Sequence, residues 1–164
     1  MTLAALALAA QLVNPGFERG LDGWQTERHR GMGIGIGSNR GFTIRQSAEG
    51  ERFVTMGWRA RNRAPDDATA RIFQQIDARR YRGRTIRVSV RTRAPGFAHG
   101  NGSLIITAAG ARARGAIASS TTWRRHSLTF RVPRQARMIE IALQSGGTSA
   151  ELAVDDVRLE VLRR

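Results

Sequence analysis

The 164-residue sequence predicts an all-β sandwich of antiparallel strands. Three observations predict it. Short runs of apolar residues alternating with polar ones recur along the whole chain. Clusters of Gly, Pro, Asn, Asp and Ser, the residues that chain reversals need, separate those runs. No window holds a sustained helical period with caps at its ends.

Strands are expected at residues 53–56, 72–76, 85–92, 103–107, 127–132, 138–143 and 152–161, with turn clusters at 64–67, 94–96, 99–102 and 145–148. The clearest run follows Thr85. Ile86, Val88 and Val90 point one way, while Arg87, Ser89, Arg91 and Arg93 point the other. Successive side chains of a strand face opposite sides, so one face is core and the other is wet. Its arginines either line a groove or form a solvated outer surface. Residues 31–37 put Met32, Ile34 and Ile36 on one face and only glycines on the other, which reads as an edge strand or loop beside the first sheet. Its spacing does not match the dinucleotide fingerprint.

Composition narrows the function. The chain is 41% hydrophobic with 18 Gly and 4 Pro, ordinary for a turn-rich globular protein. Residues 11–164 are expected to form a single domain, large enough to bury a core without metal or disulfides. There are 0 cysteines, which removes disulfides and thiol chemistry and leaves the compartment open. Residues 3–10 form an apolar run ending Ala7-Leu8-Ala9-Ala10 and read as a truncated signal peptide, so residues 1–10 would be removed and the protein secreted or periplasmic. No Arg precedes Arg19, so the charged leading segment is missing; an apolar first strand or helix of a cytoplasmic protein is the alternative. No run reaches the ~18 apolar residues of a membrane span.

The net charge is +14, and all 27 basic residues are arginine. Such a surface holds polyanions at low salt and releases them as salt rises. Nucleic acid, acidic polysaccharide or an anionic envelope would all suit it, as would a plain solvated surface. No nucleic-acid motif and no interleaved aromatic platform accompanies the charge.

Catalysis is not expected. His29, His99 and His126 have no metal-ligand spacing, and no nucleophile elbow is present. Asp66-Asp67 lies in a turn, and Asp155-Asp156 would point to opposite faces of one strand, so neither pair flanks a bond. Alternation places Asp155 with Val157, Leu159 and Val161, on an apolar face where a carboxylate needs a cation, an Arg or backbone donors. Glu18, after a turn and Phe17, is in a similar position, and the two could share one cation if the chain ends meet.

Gly16-Phe17-Glu18 with Gly23-Trp24 near the start, residues 72–77 and 81–91 in the middle, Trp123 through Pro133, and Asp155-Asp156-Val157 near the end together resemble a known family. They are similar to the carbohydrate-binding modules attached to bacterial cellulases and xylanases. The resemblance runs over residues 12–162 and implies a galactose-binding-like β-sandwich (jelly roll) of two antiparallel sheets. It also implies a non-catalytic module that recognises a polysaccharide or acidic glycan, with Trp24 in the core and a structural calcium shared by Glu18 and Asp155. Sugar rings stack on exposed aromatics ringed by polar groups. Trp58, Phe73, Tyr81 and Phe97 are the aromatics left for stacking, Gln74 and Gln75 are candidates for hydroxyls, and Arg71 for a uronate or sulfate. Aromatic residues make up 6% of the chain, so the charge favours an acidic glycan. The alternatives are a structural, envelope-associated scaffold and an arginine-driven binder of polyanions such as nucleic acid.

Overall fold

The computed structural model describes residues 12–30, 33–36, 42–57, 69–95, 102–146 and 151–163. Eleven strands occur among them: β1 (Gln25–Arg30), β2 (Gly33–Ile36), β3 (Phe42–Gln46), β4 (Arg52–Gly57), β5 (Thr69–Asp77), β6 (Thr85–Ala94), β7 (Gly102–Ala108), β8 (Ala111–Ile117), β9 (Ser120–Arg131), β10 (Met138–Gly146) and β11 (Glu151–Val161). They form a six-stranded sheet in the order β2-β1-β5-β10-β7-β8 and a five-stranded sheet in the order β3-β4-β11-β6-β9. Every pairing is antiparallel. Among the described residues, no helix is long and apolar enough to cross a membrane.

The alternation read in the sequence is what joins the sheets. From the six-stranded sheet, Ile72, Leu104, Ile106, Ile139, Ile141 and Leu143 point inward. Val54, Met56, Ile86, Val88, Leu152 and Val154 meet them from the five-stranded sheet, and all belong to one core cluster. Each such side chain contributes about 1.5–3 kcal/mol by leaving water. In β6, Ile86, Val88 and Val90 are buried while Arg87 stays exposed, as the sequence predicts.

Residues 12–24 form a series of turns that staples both sheets together. Phe17 is fully buried and packs on Trp24 with ring centroids 5.1 Å apart. Trp24 Nε1 donates to the Asn14 carbonyl at 3.1 Å, and Asn14 Nδ2 donates to the Gly20 carbonyl at 2.9 Å. Gln74 of β5 holds this segment from one sheet. The Val157 N–H of β11 donates to the Pro15 carbonyl at 3.0 Å from the other. The first and last parts of the chain therefore do meet.

The last strand departs from the sequence reading in one respect. Its pairing with β6 shifts between Asp155 and Arg158, and Asp156 takes a positive φ of 47°. This bulge inserts a residue and re-aims the side chains before it. Val157 and Leu159 remain inside, but Asp155 pairs opposite Arg91 and faces outward with it, not with Val157, Leu159 and Val161. Asp156 turns to Arg125 and Arg158 on the same outer side, so the two acids do not take opposite faces.

Strands β1, β3 and β8 are additions to the predicted set, and Gly33–Ile36 is the edge strand that the glycine-rich segment suggested. In β8 the inward positions are Ala111, Ala113, Gly115 and Ile117, of which only the last is large enough to register as apolar.

Candidate functional site

The outer face of the six-stranded sheet gathers the polar residues that the middle of the sequence singled out. Because Ala70, Ile72 and Ile76 of β5 are buried in the core, Arg71, Phe73 and Gln75 point outward at a spacing of two. Pairing carries each across the sheet. Arg71 lies level with Glu27, Gln144 and Ser103. Phe73 lies level with Gln25, Ala142, Ile105 and Arg114. Gln75 lies level with Glu140, Thr107 and Arg112.

The middle row is a sunken apolar floor. Ile105 is 2% exposed and Ala142 0%, yet neither belongs to the core cluster. Long polar neighbours overhang them. Arg71 donates from Nη1 to Glu27 Oε2 at 2.7 Å and from Nη2 to Glu140 Oε1, and its guanidinium lies 4.6 Å from the centroid of the Phe73 ring. Gln75 Nε2 donates to Glu140 Oε2 at 3.1 Å, and Arg114 Nε donates to Ser103 Oγ at 2.9 Å. The two carboxylates share one guanidinium, which balances its charge and presents a ring of fixed donors and acceptors around an aromatic edge. That arrangement suits recognition of hydroxyls. Glu27 and Glu140 thus both accept from Arg71, one on each terminal nitrogen.

Of the residues predicted to bind ligand, Arg71 and Gln75 come together here. Gln74 does not join them, because its position in β5 has the opposite parity. It is 4% exposed, its Oε1 accepts from the Val13 N–H at 2.7 Å, and its Nε2 donates to the carbonyls of Val13 at 3.0 Å and Gly23 at 2.9 Å. Tyr81 is 6% exposed and belongs to the core cluster, so it is no stacking platform. Trp58 and Phe97 lie outside the described residues. Phe73, Glu27 and Glu140 complete the face. Phe73 was legible from its place between Arg71 and Gln75; the two glutamates had no local signal.

Asp155 and Glu18 stand apart from this face. Asp155 Oδ1 accepts from the Asp156 N–H at 2.7 Å, and Oδ2 lies 3.6 Å from Arg91 Nη1. Burial pushes the Asp155 carboxyl above its ordinary range, more than the Asp156 N–H and Arg91 pull it down. The turn before Glu18 touches this point, since a Cβ on Gly16 would lie 3.9 Å from Asp155 Oδ1. Glu18 itself is exposed, and its carbonyl accepts from Arg52 Nη1 at 2.9 Å. Among the described residues, no three His, Asp or Glu side chains cluster as a metal group, so backbone oxygens would have to complete a cation site. A depression of about 590 Å³ lined by Gly83, Arg84, Thr85, Val161, Leu162 and Arg163 holds neither an aromatic ring nor a carboxylate.

No protein-family model matches the sequence, and neither does any curated protein sequence. Solved structures do match in fold. A family 61 carbohydrate-binding module in complex with β-1,4-galactotriose superposes with a TM-score of 0.62 at 14% identity, over 92% of this chain and 97% of that one. A family 16 carbohydrate-binding module gives 0.62 at 15% identity, over 92% and 99%. The enzymatically active domain of tailspike protein 4 from bacteriophage CBA120 gives 0.66 at 13% identity, with 92% of this chain covering only 21% of that longer one. The chain therefore has the two-sheet β-sandwich fold of carbohydrate-binding modules.

Proposed function

We propose that this protein is a non-catalytic carbohydrate-binding module that takes a polysaccharide on the outer face of the six-stranded sheet. The observation that carries the reading is the half-exposed Phe73, backed by buried Ile105 and Ala142 and rimmed by the Arg71–Glu27–Glu140–Gln75 network. Sugars have apolar ring faces and hydroxyl edges, and an apolar floor with a few convergent polar groups matches both. Since Arg71 is already balanced by two carboxylates, a neutral chain fits this face better than an acidic one. The sandwich that this chain shares with modules such as the galactotriose-bound one supports the reading. The reading also implies an extracytoplasmic setting, with residues 3–10 as the remnant of an export signal.

Affinity electrophoresis against neutral and acidic polysaccharides and DNA, at low and high salt, tests it. Retardation by a neutral polysaccharide that survives high salt is expected, and Phe73→Ala should weaken it at least about tenfold, since aromatic anchors carry much of an interface's energy. Retardation only by polyanions, vanishing as salt rises, would replace this reading with the arginine-surface one.

Calcium belongs to the same proposal. Glu18 and Asp155 would hold it, with backbone carbonyls bringing the shell to six to eight oxygens. The ion would add positive charge to that of Arg91 beside the buried Asp155 carboxylate and would fasten the first turns to β11. A ligand of the native state alone must raise the melting midpoint. Melts with calcium should thus run higher than melts with chelator; superimposable curves would leave Arg91 as the cation that Asp155 uses.

A further inference from the structure

The opposite, outer face of the five-stranded sheet has its own aromatic–arginine cluster. Phe53 and Trp123 meet edge to face, with ring centroids 5.4 Å apart and planes at 84°. The Arg93 guanidinium lies 5.5 Å from the Trp123 centroid and 5.8 Å from that of Phe53, and Arg91 lies 5.3 Å from Trp123. Beside them runs a row of short side chains, Thr43, Thr55 and Ala153, level with Arg93. Thr55 and Ala153 are 5% and 3% exposed although they point away from the core. Taller neighbours overhang them, so the row is the bottom of a trough.

The charges of this face are almost all spoken for. Arg91 lies 3.6 Å from Asp155 and 3.7 Å from Glu51, Arg45 lies 3.2 Å from Glu151, and Arg125 and Arg158 share Asp156. Arg93 takes part in none of these pairs, and neither does the exposed Arg87 of the same strand face; among the described residues Arg93 has ring contacts but no carboxylate. The Nε–H groups of Arg93 and Arg45 are both buried without an acceptor. A buried donor left unpaired is costly, and a charged one more so. Arg93 is only partly buried as a residue, so the rest of its guanidinium can meet an arriving oxyanion.

We propose that this trough is a second binding site, for a uronate-bearing polysaccharide. The sugar carboxylate would accept from Arg93, while the pyranose ring lies against Trp123. A nucleic acid is a poorer match. It brings a phosphate at every residue, whereas the guanidinium beside the two rings lies amid Glu51, Glu151, Asp155 and Asp156, which would repel a dense anionic track. This proposal does not depend on the polysaccharide face across the sandwich, and each can fail alone.

The test uses polygalacturonate, neutral dextran, dextran sulfate and DNA in affinity gels, with tryptophan fluorescence as a second readout. Wild type should be retarded by polygalacturonate at a salt concentration that already releases DNA. Arg93→Gln should weaken that retardation at least tenfold while leaving neutral-polysaccharide binding and the melting midpoint in place. Phe73→Ala should leave polygalacturonate binding intact. Polygalacturonate should also change the emission of wild type, and that change should disappear in Trp123→Phe, a variant gentle enough to fold. Wild-type behaviour of Arg93→Gln would overturn the site. So would equal release of polygalacturonate, dextran sulfate and DNA by salt, or a fluorescence change that persists without Trp123.

Discussion

Replacing Gln74 by leucine is expected to cost about 2–4 kcal/mol of stability and none of the affinity of the folded protein, whereas Gln75→Leu should do the reverse. The two residues are adjacent in β5 and chemically identical, so parity alone separates them. Gln74 reaches inward and makes three hydrogen bonds, to Val13 N, Val13 O and Gly23 O. Leucine fills a similar space but leaves three backbone groups without their partner, at about 1–3 kcal/mol for each one that stays buried. Val13 is 46% exposed, so water takes up part of the loss there and the sum stays near the lower end. At roughly 2–4 °C per kcal/mol for a chain of this size, the midpoint should fall by about 5–10 °C. Gln75 is exposed and has one side-chain bond, to Glu140, worth under about 1 kcal/mol. Its variant should melt almost as wild type does and bind polysaccharide more weakly. Denaturant melts together with affinity gels decide the matter. A Gln74 variant that keeps its midpoint but loses binding would move the ligand contact to the inside of β5 and remove the present assignment.

That pair also marks what could be read from the chain. Where apolar and polar residues alternate with full-sized side chains, as in β5, β6, β7 and β10, the sequence declares both the strand and its inward face. Parity puts Arg71 with Gln75 and apart from Gln74, a distinction that grouping both glutamines as hydroxyl contacts passes over. Legibility failed where pattern and side-chain size part company. Before its last residue, Ile117, β8 presents only alanines and a glycine to the interior, so it shows no apolar stripe, although Arg112 and Arg114 alternate outward. At β11 one inserted residue at Asp156 put Asp155 on the outer face, and no local feature announces a bulge in a run that reads as plain alternation. The candidate site depends on partners 44 and 69 residues from Arg71, Glu27 and Glu140. Only the strand order brings those three together. Trp123 shows the same limit: only the pairing of β9 in the sheet brings it to Phe53, Arg91 and Arg93.

The glycine before Trp24 is where local chemistry and tertiary packing make the same demand, and Gly23→Ala is expected to destabilise by about 2–4 kcal/mol. Gly23 has φ of +78°, in the left-handed region, where a Cβ costs roughly 1–2 kcal/mol. Gly20 lies three residues earlier with φ of +67°, so conformation alone predicts a similar penalty for Gly20→Ala. Space distinguishes them. A Cβ at Gly20 would find only Ile44 Cγ1, at 3.8 Å, an ordinary contact. A Cβ at Gly23 would lie 2.6 Å from Val13 Cβ and 2.7 Å from Val13 Cγ1, with Gln74 Nε2 at 3.3 Å. Val13 has solvent to move into, but its backbone is pinned at both N–H and carbonyl by Gln74. The clash can therefore be relieved only by disturbing the same three hydrogen bonds that Gln74→Leu removes. The two variants should then couple: in the Gln74→Leu background, Gly23→Ala should cost about 1 kcal/mol less than it does alone, as neighbours that share an interaction do. Equal losses for Gly20→Ala and Gly23→Ala, or strict additivity of Gly23→Ala with Gln74→Leu, would mean that backbone conformation alone keeps the glycine. The Gln74 clasp would then have no part in keeping it.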